Sequence, residues 1–371
     1  MKKIIKHMKE KYNYEFPMPN PTMGDFVSAY MELNNVKVVI TYPQEMHVIN
    51  LDLTAFCNLT CYSCNHFMDS APSSEMMTLE QIRAFVDESI EMKWIWKELR
   101  LTGGEPTLHP QFYEILDEVK RLKTTYLPDI TLKVISNGTG DKVRQILKMD
   151  ESDIEKINQT TCGFTLKDYP DWQVMSSLPL KQTIKKMTLE DGRKVDFIDD
   201  FGNVFLAPFD RLDKIGEYYN LVPGGWKPET IDGYLPATIG PIVLSFIIKN
   251  NAIMDCQVHA TCGFELTPYG YTPCPCGGHR VVGDESVFFK SLKEITQEKC
   301  VEILAKMCSM CGRNMNYATL CKTDMKKSPF WELVLENYKE NKPQMSLYNE
   351  ANLVQISSKY HKKKEKKNER R

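Results

Sequence analysis

The chain has 371 residues, of which 42% are hydrophobic and 26% charged, and its formal net charge is −2. This composition is typical of a globular protein with enough apolar material for a core, and it excludes collagen-like, mucin-like and mostly disordered chains. The low net charge disfavours a nucleic-acid partner recognised through its phosphates. No apolar run approaches the ~20 residues of a membrane span, so no membrane partner is expected.

The first predicted elements, between residues 47 and 149, alternate strands with helices. Strands are predicted at 48–54, 99–102 and 130–136, and helices after the Thr78–Gln81 capping box, from Pro110, and over 141–149. A β-α-β-α-β-α order implies right-handed crossovers and a parallel sheet. In such folds the loops at the carboxyl ends of the strands carry the chemistry. The polar residues Asn50, Asp52 and Thr54 on one face of the first strand suit a ligand-lined barrel interior.

Twelve cysteines occur along the chain, and all but Cys162 fall into clusters. The clusters are Cys57, Cys61 and Cys64; Cys256, Cys262, Cys274 and Cys276; and Cys300, Cys308, Cys311 and Cys321. No apolar signal segment follows the N-terminal lysines, so a cytoplasmic location is expected. Clustered thiols in a reducing compartment indicate metal or redox chemistry more often than disulfides. Cys162 and Cys300 are interpreted as buried or incidental thiols.

The first cluster, Cys57, Cys61 and Cys64, has the spacing C-x3-C-x2-C directly after the first strand. Three thiolates can hold three irons of a cubane cluster, which leaves the fourth iron open to a small molecule with an amine and a carboxylate. The alternative is a closed zinc site in which His66 supplies the fourth ligand.

The second motif, Thr102-Gly103-Gly104-Glu105-Pro106, follows the second strand. It lies one crossover after the cysteines, so we expect both loops on the same rim. Two glycines allow the backbone to approach a ligand without interference from a Cβ atom. Glu105 offers an acceptor to an ammonium group. His109, further along this loop, is interpreted as a cap or a solvent-exposed group.

With these two motifs the sequence resembles the radical S-adenosylmethionine superfamily. The resemblance implies a partial (β/α)6 TIM-like barrel and a [4Fe–4S] cluster on the three cysteines. It also implies that Gly103, Gly104 and Glu105 hold the amine of S-adenosylmethionine, with Ser136 and Asn137 as candidates for ribose or carboxylate contacts. The activity implied is reductive cleavage to methionine and a 5′-deoxyadenosyl radical, with a reductase, flavodoxin or ferredoxin as electron donor. Ser63 stands where the family usually has an aromatic residue.

A second metal site is predicted in the cysteine-rich segment that follows. Cys262 and Cys274 flank a hairpin with a turn at Pro268-Tyr269-Gly270, and Cys308 and Cys311 form a C-x2-C pair. These four thiols could bind a second iron–sulfur cluster or zinc. Cys256, Cys276 and Cys321 are alternative ligands. The arrangement resembles the SPASM or twitch extensions of radical S-adenosylmethionine enzymes, and we expect a small unit rather than a continuation of the sheet.

Four parts are expected: an N-terminal extension (1–46), the barrel (47–250), the cysteine-rich module (251–325), and a C-terminal helix with a basic tail (326–371). The leading hypothesis is an α/β radical enzyme acting on a peptide, carbohydrate or other small metabolite. A non-catalytic zinc-binding adaptor and a two-cluster electron-transfer protein are the alternatives. The adaptor explains the cysteines but leaves the Gly-Gly-Glu-Pro motif unexplained.

Overall fold

The computed structural model describes residues 2–21, 23–34, 46–59, 66, 76–157, 163–176, 183–188, 194–199, 259, 262–275, 279 and 285–309. The candidate ligands Cys61, Cys64 and Cys311 lie outside these residues, as do the alternatives Cys256, Cys276 and Cys321. Cys308 is described only as part of a helix.

The described chain alternates helices and strands. The helices are α1 (Lys2–Tyr12), α2 (Met23–Leu33), α3 (Leu79–Glu91), α4 (Phe112–Thr125), α5 (Asp141–Ile146), α6 (Glu151–Ile157) and α7 (Gln297–Ser309). The strands are β1 (Val48–Asp52), β2 (Glu98–Thr102), β3 (Thr131–Ser136), β4 (Phe164–Leu166), β5 (Tyr169–Ser176), β6 (Thr183–Thr188), β7 (Lys194–Asp199), β8 (Phe264–Thr267) and β9 (Gly270–Thr272). None of the helices in the described ranges is long and apolar enough to cross a membrane.

Seven of these strands form one sheet in the order β4-β5-β3-β2-β1-β8-β9. The central strands β5, β3, β2, β1 and β8 run parallel to one another, and the edge strands β4 and β9 pair antiparallel with β5 and β8. β6 and β7 pair separately. The predicted α/β class is therefore confirmed, with a mostly parallel sheet that is consistent with a partial TIM-like core.

The apolar face of this sheet is the centre of the core. Alternate residues of the central strands are buried there, including Ile49, Leu51, Leu99, Leu101, Leu132 and Val134. They share one hydrophobic cluster with the apolar stripes of α3 and α4, which recur at three- and four-residue spacing as the sequence predicts. Each fully buried aliphatic or aromatic side chain contributes about 1.5–3 kcal/mol. This packing fixes the strand ends from which the loops emerge.

The opposite face carries a row of polar side chains in register across five strands. Asn50 on β1 lies opposite Arg100 on β2 and Glu265 on β8, and the row continues through Lys133 and Gln173. The polar face of the first strand was expected to line a barrel interior, and the register extends it across the sheet.

The predicted start of α3 is confirmed in detail. The Thr78 hydroxyl accepts a hydrogen bond from the Gln81 backbone at 3.2 Å, and the Gln81 carboxamide oxygen accepts one from the Thr78 backbone at 2.9 Å. The Gln81 side chain also donates to the carbonyl of Pro268 at 2.8 Å, so the capping residue joins α3 to the β8–β9 turn. The helix expected over 141–149 instead ends at Ile146, because Lys148 adopts a positive φ of 51°.

One expectation about the cysteine-rich segment needs correction. The segment that contains Cys262 and Cys274 does form the predicted hairpin, but β8 pairs in parallel with β1 and so continues the sheet. The helices α1 and α2, which lie within the predicted N-terminal extension, bury Ile4, Met8 and Phe26 in the same core. Helix α7 packs against α2 and buries Cys300, as interpreted from the sequence. The expected domain boundaries stay predictions.

Candidate functional site

The loops that follow β1 and β2 run side by side and are joined by backbone hydrogen bonds. Gly104 donates from its backbone to the carbonyl of Thr54 at 2.7 Å, and Glu105 donates to that of Phe56 at 2.9 Å. Phe56 immediately precedes Cys57. The predicted adjacency of the first cysteine loop and the Gly-Gly-Glu-Pro motif is therefore confirmed.

Both glycines are required by this close approach. A Cβ atom on Gly103 would lie 2.6 Å from the Thr54 carbonyl oxygen, and Gly103 has a φ of +128°, which L side chains rarely adopt. A Cβ atom on Gly104 would lie 2.5 Å from the Phe56 carbonyl oxygen. These neighbouring atoms belong to the backbone and cannot rotate away, so glycine is the residue that lets the two loops touch.

Glu105 joins the second loop to the third. Its buried carboxylate accepts hydrogen bonds from the Thr107 hydroxyl at 2.7 Å, the Ser136 hydroxyl at 2.9 Å and the Asn137 backbone at 2.8 Å. Burial raises the pKa of this carboxyl group, and the hydrogen bonds from Thr107, Asn137 and Ser136 oppose that rise. The sequence suggested a direct bond from Glu105 to a ligand's ammonium group, but in the structure the carboxylate holds the loops together.

Asn137 connects the third loop to the cysteine loop. Its carboxamide nitrogen donates to the Asn58 side-chain oxygen at 2.8 Å and lies 3.7 Å from the Cys57 sulfur. The Leu59 backbone nitrogen lies 3.4 Å from the same sulfur, and the Asn58 side chain donates to the Thr139 carbonyl at 2.8 Å. Two N–H donors therefore point at one thiol. Such donors stabilise a thiolate and tune a cluster bound to it.

The second group of cysteines is organised around the hairpin. In the β8–β9 register Glu265 lies opposite Thr272, so Cys262 precedes and Cys274 follows the two ends that this pairing brings side by side. The Thr272 hydroxyl lies 3.3 Å from the sulfur of Met307 on α7, the residue before Cys308. This end of the hairpin and the last turn of α7 are thus neighbours, and a shared site for Cys262, Cys274 and Cys308 stays a prediction.

Two histidines have defined partners in the structure. His109 is buried, and its Nδ1 atom accepts from the Gln111 backbone at 3.1 Å while its other ring nitrogen lies 2.8 Å from the Met77 carbonyl. Burial lowers the pKa of His109. His109 is a cap, as interpreted, but of the short 3-10 helix Pro106–Leu108, where its backbone N–H donates to the Pro106 carbonyl; the solvent-exposed alternative is wrong. His66, the fourth ligand in the zinc interpretation, places its Nδ1 atom 3.6 Å from a carboxylate oxygen of Glu265.

The sequence indicated His259 and His279 as possible metal ligands of the cysteine-rich segment, but it did not predict the group that His279 forms with Asp52 and Glu265. All three side chains are buried, and their ligand atoms lie within 4.8 Å of one another. Asp52 was noted only as part of a polar strand face. Nothing in the sequence pairs it with residues more than 200 positions later, because strand order is not encoded in local periodicity.

A comparison with protein families identifies this part of the chain. Residues 51–166, which span β1 to β4, match the model of the Radical SAM superfamily. The chain therefore carries a radical S-adenosylmethionine domain, and this domain contains the three loops that meet at Cys57, Glu105 and Asn137.

Among curated relatives, the chain is 27% identical over 193 residues to the GTP 3′,8-cyclase of Clostridium perfringens strain SM101, covering 47% of this chain and 58% of that enzyme. It is 28% identical over 116 residues to a probable GTP 3′,8-cyclase of Methanococcus aeolicus, covering 31% and 37%. The chain thus spans less than two thirds of the length of these relatives.

Two solved structures are also similar to the chain. BtrN in complex with AdoMet and 2-DOIA is 13% identical, with a TM-score of 0.33, over 86% of this chain and 98% of BtrN. Streptococcus suis SuiB bound to the precursor peptide SuiA is 14% identical, with a TM-score of 0.25, over 67% of this chain and 48% of SuiB.

Proposed function

We propose that the chain is a radical S-adenosylmethionine enzyme that reductively cleaves this cofactor at a [4Fe–4S] cluster. The cleavage is proposed to initiate hydrogen abstraction from a peptide, carbohydrate or small-metabolite substrate. The observation that carries the proposal is the hydrogen-bonded meeting of three loops at the carboxyl ends of β1, β2 and β3. One loop holds a cluster-type cysteine, one a glycine cradle, and one the polar residues Ser136 and Asn137.

The donor chemistry around Cys57 fits a cluster ligand. The N–H groups near its sulfur favour the thiolate, which is the form that binds iron. Cys61 and Cys64 are proposed as the other two ligands from their spacing in the sequence. When bound, a cluster with one open iron supplies the electron that cleaves S-adenosylmethionine, and the protein orients the substrate and excludes side reactions.

The glycine cradle is proposed to hold the methionyl amine through backbone groups of Gly103 and Gly104. The Glu105 carboxylate acts indirectly, since it is already engaged by Thr107, Ser136 and Asn137. Its role is to fix the cradle against the third loop, so that Ser136 and Asn137 stay beside the cofactor. Glu105 is therefore a positioning residue, which acts through the glycine cradle and the third loop.

A second iron–sulfur cluster is proposed on Cys262, Cys274, Cys308 and Cys311, in a module similar to a twitch extension. The support is the common end shared by the hairpin and α7. A flavodoxin, a ferredoxin or a dedicated reductase is proposed as the electron donor. The relatives' names indicate a GTP reaction, but their matches cover less than half of this chain, so GTP is one candidate among small metabolites.

The test is an anaerobic assay of the full chain. After reconstitution with iron and sulfide, both are counted, the protein is reduced with dithionite, and 5′-deoxyadenosine released from S-adenosylmethionine is measured. We expect release from the wild type, loss of release in Cys57→Ala, and retention in Cys300→Ala, which removes a buried core thiol outside the site.

The other outcomes identify the alternatives. Bound zinc without sulfide would support the adaptor, and clusters without cofactor cleavage would support electron transfer. Release from Cys57→Ala equal to that of the wild type would overturn the assignment of the first cluster.

A further inference from the structure

A group of ionisable side chains lies buried on the polar face of the sheet, next to the glycine cradle: a Cβ atom on Gly103 would lie 2.9 Å from a carboxylate oxygen of Asp52. The group consists of Asp52, Glu265 and His279, each almost completely excluded from solvent. The His279 Nδ1 atom lies 3.4 Å from one Glu265 oxygen, and the His66 Nδ1 atom lies 3.6 Å from the other. Two carboxylates and two imidazoles therefore converge on one small volume.

The sheet itself brings these groups together. Glu265 on β8 is in register with Asn50 on β1, and Asp52 is the next residue of β1 on the same face. The Asn50 side chain fastens this register by donating to the carbonyls of Cys262 at 2.6 Å and Phe264 at 2.8 Å. The two carboxylates are thus held by adjacent strands rather than by loops, which makes their spacing rigid.

The geometry suits a single metal ion. One ligand atom from each of Asp52, Glu265 and His279 lies within 4.8 Å of the others. Donor atoms that share one ion at about 2.0–2.2 Å lie ~3.3–3.6 Å apart in a tetrahedral shell, so side-chain rotations that bring the donor atoms closer by up to about 1.5 Å would close the shell.

We propose that Asp52, Glu265 and His279, with His66 as a fourth donor, bind one divalent transition-metal ion. Mixed carboxylate and imidazole donors favour Mn²⁺, Fe²⁺ or Zn²⁺ over the thiolate-bound iron of a cluster. The ion would join β1, which leads to Cys57, to β8, which follows Cys262. No cysteine takes part, so the site is distinct from both proposed clusters and does not depend on the proposed function.

The experiment uses the full chain with its iron–sulfur clusters reconstituted, so that the cysteine thiols are already occupied and do not bind the added metal. Elemental analysis first measures the manganese and zinc that the protein retains from expression. It also measures the iron in excess of sulfide, which is the iron that does not belong to a cluster. Mn²⁺ is then titrated while the signal of the free ion is followed by electron paramagnetic resonance. We expect about one such ion per chain, either retained or taken up. Where Mn²⁺ is taken up, nitrogen modulation from a coordinated imidazole is expected in pulsed spectra.

Conservative variants separate a metal site from a set of carboxylate–imidazole ion pairs. Glu265→Gln and His279→Gln are expected to weaken Mn²⁺ binding by about tenfold or more, while the matched variant His109→Gln, which alters a buried histidine outside the cluster, leaves it unchanged. Wild-type protein that neither retains nor takes up an ion would overturn the proposal even if the variants fail to fold. Glu265→Gln and His279→Gln proteins that fold and bind Mn²⁺ as tightly as the wild type would also overturn the proposal.

Discussion

Replacing Gly104 with alanine tests whether contact between the first two loops builds the site. The new Cβ atom would lie 2.5 Å from the Phe56 carbonyl oxygen, and ordinary contact begins near 3.4 Å. The loops must therefore separate by about 0.9 Å, which strains the bonds from Gly104 to Thr54 and from Glu105 to Phe56. Two weakened hydrogen bonds at about 0.5–1.5 kcal/mol each, plus about 1–3 kcal/mol of strain, predict a loss of roughly 2–6 kcal/mol in the free energy of unfolding.

The assay compares urea unfolding, iron content and 5′-deoxyadenosine release with those of a matched variant. Gly163→Ala places a Cβ atom 2.3 Å from the Val174 carbonyl oxygen, a similar backbone collision at the β4–β5 edge. We expect both variants to be destabilised, but only Gly104→Ala to lose cofactor cleavage out of proportion to its stability. A Gly104→Ala protein with wild-type stability and activity would refute the reasoning.

The remaining predictions concern buried ionisable groups. Burial raises the pKa of Glu105, and Glu105→Gln keeps the shape of this side chain. We expect urea unfolding to show a loss of about 1–2 kcal/mol of stability in Glu105→Gln and about 3–5 kcal/mol in Glu105→Ala. Equal losses would contradict the bridging role. Glu88→Ala removes the acceptor of the Tyr271 hydroxyl, 2.9 Å away, and should lose about 2–4 kcal/mol, whereas the exposed Asp87→Ala should lose about 1 kcal/mol or less. Burial lowers the pKa of His109 from its usual 6.5, so the unfolded chain binds a proton on this imidazole more readily than the folded protein does. The contribution of His109 to stability is therefore complete above pH 6.5 and decreases as the pH falls below it. Stability between pH 7 and 5 should therefore fall less in His109→Gln than in the wild type, and parallel curves would exclude this contribution.

The sequence predicts the first half of the barrel well because its signals are local. The capping box at Thr78 and Gln81 needs only four consecutive residues, and the apolar stripe of α4 needs only one helix. The adjacency of Gly103 and Cys57 follows from a general rule of parallel sheets, that consecutive crossovers place strand ends on one rim. These predictions required no knowledge of distant contacts.

The parts that could not be predicted depend on long-range pairing. Nothing local shows that β8 lies against β1, so Glu265 and Asp52 could not be recognised as neighbours. The hydrogen-bond partners of Glu105 could not be predicted either, because a carboxylate can accept from a ligand or from the protein. Only the fold places Ser136 and Asn137 within hydrogen-bond distance of it. In both cases tertiary structure decides which partner a polar side chain meets.

The central claim is that one iron of the first cluster is left open for S-adenosylmethionine. The most direct measurement is the electron paramagnetic resonance spectrum of the reduced, reconstituted protein before and after this cofactor is added. We expect a shift of the cluster signal that is absent in Cys57→Ala. An unchanged spectrum in wild-type protein with a full complement of iron and sulfide would contradict it.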